Sequence, residues 1–117
     1  GAIWVSNING PLENGDYITS SNIPGIGMRQ NSEFIANYTV AKITMDCDFH
    51  PKLEPYIEYD IETNTYVSNK DLLIPEYETK YVTIEGELIN ENEYNNRKSK
   101  NEDVYIMSFV GCTYHCG

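Results

Sequence analysis

The clearest pattern in the chain is a strict alternation over residues 38–49. Thr39, Ala41, Ile43, Met45, Cys47 and Phe49 fall on one side, and Tyr38, Val40, Lys42, Thr44, Asp46 and Asp48 on the other. A strand sends successive side chains to opposite faces, so this period of two predicts a strand with the first set toward a core. Pro51 and Pro55 are expected to end it, because proline cannot donate to a ladder. Residues 78–89 predict a second strand, with Val82, Ile84, Gly86 and Leu88 opposed to Thr83, Glu85 and Glu87. Residues 104–110 are apolar at both parities, as in a central or interface strand. Shorter strands are expected at residues 2–6, 16–20 and 26–30. Between them stand Asn9-Gly10, Asn14-Gly15 and Asn22-Ile23-Pro24-Gly25. Asn-Gly is the strongest short hairpin signal, and Pro-Gly presets one dihedral while permitting a positive one.

The remaining segments are less regular. Residues 51–76 are acidic and rich in tyrosine; residues 57–62 and 66–68 flank Thr63-Asn64 and predict a small hairpin. Residues 90–102 contain Tyr94 as their only apolar side chain and read as an exposed, mobile loop. Ser32 is a candidate cap for a short helix over residues 33–37, and no helix of three turns is expected. The expected fold is all-β: a small sandwich or barrel-like meander of about seven short strands, with little helix. Residues 1–117 are expected to form one domain, in which residues 1–50 stand apart from an extension over 51–117 that carries the last strand and tail.

Composition agrees with that class. Asn, Tyr, Ile and Thr are frequent and Ala and Leu scarce, which favours strands and turns over helices. Eighteen acidic residues against eight basic ones leave a net charge of -10. That balance argues against nucleic acid and anionic membranes as partners, since both require a basic face. No apolar run approaches the ~20 residues of a membrane span, and no signal-peptide pattern is present.

Several motifs in the first half occur in a recognisable order. They are Trp4-Val5-Ser6-Asn7-Ile8-Asn9-Gly10-Pro11, Glu13-Asn14-Gly15-Asp16-Tyr17-Ile18-Thr19-Ser20-Ser21, Pro24-Gly25-Ile26-Gly27-Met28 and Tyr38-Thr39-Val40-Ala41-Lys42. In this order they resemble the C-terminal domain of phage tailspike and pre-neck appendage proteins, the intramolecular-chaperone autoproteolytic (peptidase G2-like) family. Related domains of large DNA viruses are similar too. The resemblance covers roughly residues 1–48. It implies a virion-associated, trimeric, fibre-terminal β-domain that helps three chains register, or that serves in attachment to a host surface protein or glycan. It also implies an alternative, a self-cleaving peptidase. Asp16 is then the acid of the matching Gly-Asp motif and Glu13 the nearest second carboxylate, since hydrolysis needs one acid to activate water and another to protonate the leaving amine. The same two residues also read simply as a turn former and a solvated acid.

Both histidines lie near cysteines, in Cys47-x-x-His50 and Cys112-x-x-His115-Cys116. Thiolates and imidazoles at these spacings offer a tetrahedral zinc site, which would make the domain a zinc-stabilised binding module. His50 joins Cys47 on one side only if the chain turns at Asp48-Phe49. A buried free Cys47, or a disulfide from Cys47 to Cys112 or Cys116, are the other readings, and no other cofactor is expected. Tyr56, Tyr59, Tyr66, Tyr77 and Tyr81 read either as half-buried strand positions or as a contact surface.

Overall fold

The computed structural model describes residues 1–32 and 34–115. The turns set the first strands in place. Gly10 and Gly15 take positive φ values of 92° and 101°. Asp16 accepts the backbone N–H of Glu13 at 2.8 Å, which holds the second turn. β1 (Ala2–Ser6), β2 (Tyr17–Ser20), β3 (Gly27–Arg29) and β4 (Thr39–Ile43) follow as the alternation predicts. Across the β2–β4 pair Ile18 stands opposite Ala41, and across β2–β3 it stands opposite Arg29.

The final strand closes these four into a barrel. It runs over Val104–Tyr114 and is antiparallel to β1 along one edge, from Ala2↔Gly111 to Ser6↔Met107. Its other edge pairs with β4 through Ile43↔Cys112. β1 also meets β3, parallel, at Val5↔Gly27. The circuit of five strands is therefore complete. Gly27 makes the close approach possible: a Cβ there would lie 2.5 Å from Ile18 Cγ2 and 3.2 Å from the Thr19 carbonyl oxygen. Inside the barrel Val5, Ile18, Ala41, Ile43, Ile106, Val110 and Cys112 form the main core.

A second apolar cluster lies on the outer face of the same strands. Met107 and Trp4 belong to it, packed with Ile23 and Ile26 of the loop between β2 and β3. Residues 104–110 are apolar at both parities because this strand has a core on each side.

The second half of the chain adds three features. β5 (Leu53–Asp60) and β6 (Thr65–Pro75) form a separate two-stranded sheet. This hairpin is the small one expected from the sequence, grown longer. Pro55 does not end a strand. It sits inside β5 beside a register shift, where a missing N–H is tolerated. β7 (Glu78–Thr83) and β8 (Leu88–Ile89) extend the barrel sheet beyond the last strand, β9. The single strand expected over 78–89 is thus a hairpin. Gly86 turns it at φ 92°, the Gly86 N–H bonds the Thr83 oxygen, and Leu88 is left 58% exposed.

Residues 90–102 also depart from expectation. Glu91–Ser99 is a helix, α1. Asn90 accepts the Glu93 N–H at 2.8 Å as a cap, and Arg97 bonds Glu93 at 2.6 Å one turn away. Its one apolar side chain, Tyr94, stacks on Tyr81 at 4.7 Å. Capping and charge pairing support this helix where an apolar stripe is missing, which is why hydrophobic periodicity did not reveal it. The short helix after Ser32 is absent among the described residues 34–37; Ser32 Oγ accepts the Phe34 N–H instead. The strand over 38–49 leaves the ladder after Ile43 and rejoins it as a single bridge, Cys47↔Leu12. Its alternation persists: Thr39, Ala41, Ile43, Cys47 and Phe49 are all buried.

The hairpin gives the molecule its outline. The radius of gyration is 16.7 Å and the extents 50 × 38 × 19 Å, whereas a compact domain of this length has a radius of about 13 Å. No residue of 53–75 belongs to either core.

Candidate functional site

Two places combine exposure with chemistry: a groove at the foot of the β5–β6 hairpin, and the hairpin itself. The groove forms where the chain leaves the barrel. The Leu12–Cys47 bridge, with backbone bonds of 2.7 and 2.9 Å, brings the second Asn-Gly turn beside residues 46–48. The strand entering β7 then places Glu76 and Tyr77 opposite. The depression has a volume of about 420 Å³, with Glu13, Asp46, Asp48 and Glu76 around it and Cys47 and Tyr77 at its base.

Three of the four carboxylates already hold backbone groups. Asp46 accepts the Asn14 N–H at 2.7 Å, and Glu76 accepts the Lys52 N–H at 3.1 Å. Asp48 accepts the His50 N–H at 2.9 Å and the Tyr77 hydroxyl at 3.0 Å. The His50 bond, and after it the Tyr77 bond, hold the Asp48 carboxyl below its ordinary range. Tyr77 moves the other way. Burial first, and then the neighbouring Cys47 and Asp48 side chains, push the phenol far above its usual value. Tyr77 therefore stays neutral and acts as a donor. The groove is a set of hydrogen-bonded ties at the foot of the hairpin.

A pH dependence follows. A carboxyl whose folded pKa is depressed stabilises the fold above its unfolded value of 3.8, and that contribution fades as pH falls through the lower, folded value. Tyr77→Phe removes one of the two bonds to Asp48. It should lower unfolding free energy at neutral pH by about 1 kcal/mol, the net worth of one such bond. The deficit should shrink in strong acid. Urea titrations of both proteins at neutral pH and near pH 3 measure this; an equal midpoint at neutral pH would show that the tie carries no load.

The residues singled out by sequence are distributed as follows. Glu13 borders the groove, whereas Asp16 borders separate depressions with Tyr17, Gln30 and Asn31. Asp16 spends one carboxylate oxygen on the turn, and the two acids open to different parts of the surface. Phe49 does make the turn that Cys47-x-x-His50 requires, at φ 65°. Yet Cys47 is 2% exposed and points into the core, whereas His50 lies at the surface. Cys112 is 3% exposed in the same core, and both thiols are free. His115 bonds the Val40 carbonyl through its backbone N–H at 2.9 Å. Cys116 lies outside the described residues. Among the described residues, no three His, Cys, Asp or Glu side chains are grouped to hold a metal ion.

The hairpin is the feature that sequence reasoning undervalued. Every residue of β5 except Asp60, and every residue of β6 except Asn69, is exposed. Ile57, Tyr59, Ile61, Tyr66, Leu72 and Leu73 all present large apolar surfaces to solvent. Of the five tyrosines noted above, Tyr56, Tyr59 and Tyr66 lie on this arm and are exposed, whereas Tyr77 is buried and Tyr81 packs against the core. The alternation of Leu53, Pro55, Ile57 and Tyr59 with Glu54, Tyr56, Glu58 and Asp60 was visible in the sequence. It showed an amphipathic strand but carried no information about what covers it. Comparison with known protein families, with curated proteins and with solved structures returns no match for this chain.

Proposed function

We propose that this chain is a structural assembly domain of a viral fibre or surface protein, in which the barrel is a rigid platform and the β5–β6 arm makes the contacts between copies. The observation that carries the reading is the arm. A two-stranded hairpin by itself is marginally stable in water. This one also leaves its apolar side chains uncovered, an arrangement that marks an interaction surface. The order of motifs over residues 1–48 supports a trimer, in keeping with the fibre-terminal domains they resemble. The acidic balance argues against nucleic acid and anionic membranes as partners.

Light scattering on the intact chain tests this. Assembly predicts a mass that is a multiple of 13.4 kDa, three for the trimer. A mass of one chain that does not rise with protein concentration would overturn the proposal.

A further inference from the structure

The arm has two unlike faces. Residues directly opposite in an antiparallel pair share a face. The pairs Leu53↔Pro75, Pro55↔Leu73, Ile57↔Ser68 and Tyr59↔Tyr66 therefore project to one side, with the two tyrosine rings 5.3 Å apart. Glu54↔Ile74, Tyr56↔Asn69, Glu58↔Val67 and Asp60↔Thr65 project to the other. One face is nearly all apolar, while the other carries three carboxylates. The arm holds a single lysine, Lys70, which lies in the bulged stretch opposite the Pro55–Tyr56 register shift.

We infer that the apolar face of the arm, formed by Leu53, Pro55, Ile57, Tyr59, Tyr66 and Leu73, packs against the same face of the neighbouring copies of this chain, the arms of the trimer converging on a shared axis. The inference rests on the assembly reading above and specifies its contact. Three observations select this occupant and this geometry. The first is area. Ile57 is 64% and Tyr66 75% exposed, and with side chains of roughly 200 Å² each the face offers roughly 600 Å². A standard interface buries about 800 Å² per partner, so apolar faces that meet at a shared axis supply most of what a stable contact needs. The second is charge. Bringing the apolar faces together directs Glu54, Glu58 and Asp60 outward on every copy, where water screens them. Packing the other faces together would bring those carboxylates into one desolvated layer, at a cost that like charges impose. The third is the edge. The register shift and bulge beside Pro55 interrupt the ladder, and bulges of this kind discourage strand addition along an edge. Contact through the face is left.

Cysteine cross-linking discriminates these arrangements. Cys47 and Cys112 are buried, and Cys116→Ser removes the third thiol. In that background Ile57→Cys should form an interchain disulfide under mild oxidation at least about tenfold faster than Glu58→Cys, because proximity sets the effective concentration. Both positions are exposed on the arm, so neither change disturbs the barrel core. Light scattering is run on the same samples. If the samples are oligomeric but Ile57→Cys is no faster than Glu58→Cys, the face assignment is wrong and the assembly reading survives. A faster Glu58→Cys would likewise overturn the assignment. If the samples are monomeric, the assembly reading falls and the inference falls with it.

Discussion

Ile18→Ala will destabilise the domain by about 4 kcal/mol, toward the upper end of what removing a buried isoleucine costs. Ile18 is fully buried in β2 at the centre of the barrel. Its neighbours cannot move in to fill the space, because the strands around it are tied into a closed circuit. Its methyl also occupies the volume beside Gly27 where a Cβ would otherwise stand. A domain of this size holds about 5–15 kcal/mol in total. The variant should therefore unfold at far lower urea, with an unchanged slope, since the same surface is exposed on unfolding. A loss below about 1 kcal/mol would mean that the barrel interior can collapse around the gap, and that closure does not make it rigid.

Excising the arm should have the opposite profile: a large change in assembly and a small one in stability. The ends of the hairpin are already joined at its foot. The Glu76 N–H bonds the Lys52 carbonyl at 3.0 Å, and the Lys52 N–H bonds the Glu76 carboxylate. An Asn-Gly turn linking Lys52 to Glu76 would thus bridge a gap that the native chain spans with hydrogen bonds. Since residues 53–75 contribute nothing to either core, unfolding free energy should change by only about 1 kcal/mol, as befits an isolated hairpin. The mass by light scattering should fall to that of one shortened chain. Retention of the oligomeric mass would show that the contacts lie on the barrel. The pair Ile57→Glu and Tyr66→Glu gives the same readout with the backbone intact. It places two charges on the apolar face and should also yield a monomer.

The two profiles separate because the chain contains two kinds of apolar surface. In the barrel, alternating side chains face one another across a closed sheet. On the arm, the same alternation faces solvent. Tyr77 and Asp48 stand at the boundary, joined by a hydrogen bond.

The local pattern of residues determined much of this protein: the all-β class, the positions of β1 to β4, the glycine turns at Gly10 and Gly15, and the two-sided burial of β9. Each rests on interactions within a few residues, where periodicity and turn chemistry act directly. The pairing of Ala2 with Gly111, the closure of the barrel, the outer cluster around Met107 and Trp4, and the uncovered face of β5 were decided only in three dimensions. Alternation reports which side of a strand is apolar. Whether that side meets a core or open solvent depends on strands distant in the chain, and no neighbouring residue encodes them. The helix after Asn90 follows the same logic in reverse: its cap and its Glu93–Arg97 pair were present in the sequence, but with one aromatic contact to the sheet it had no apolar stripe by which to be recognised.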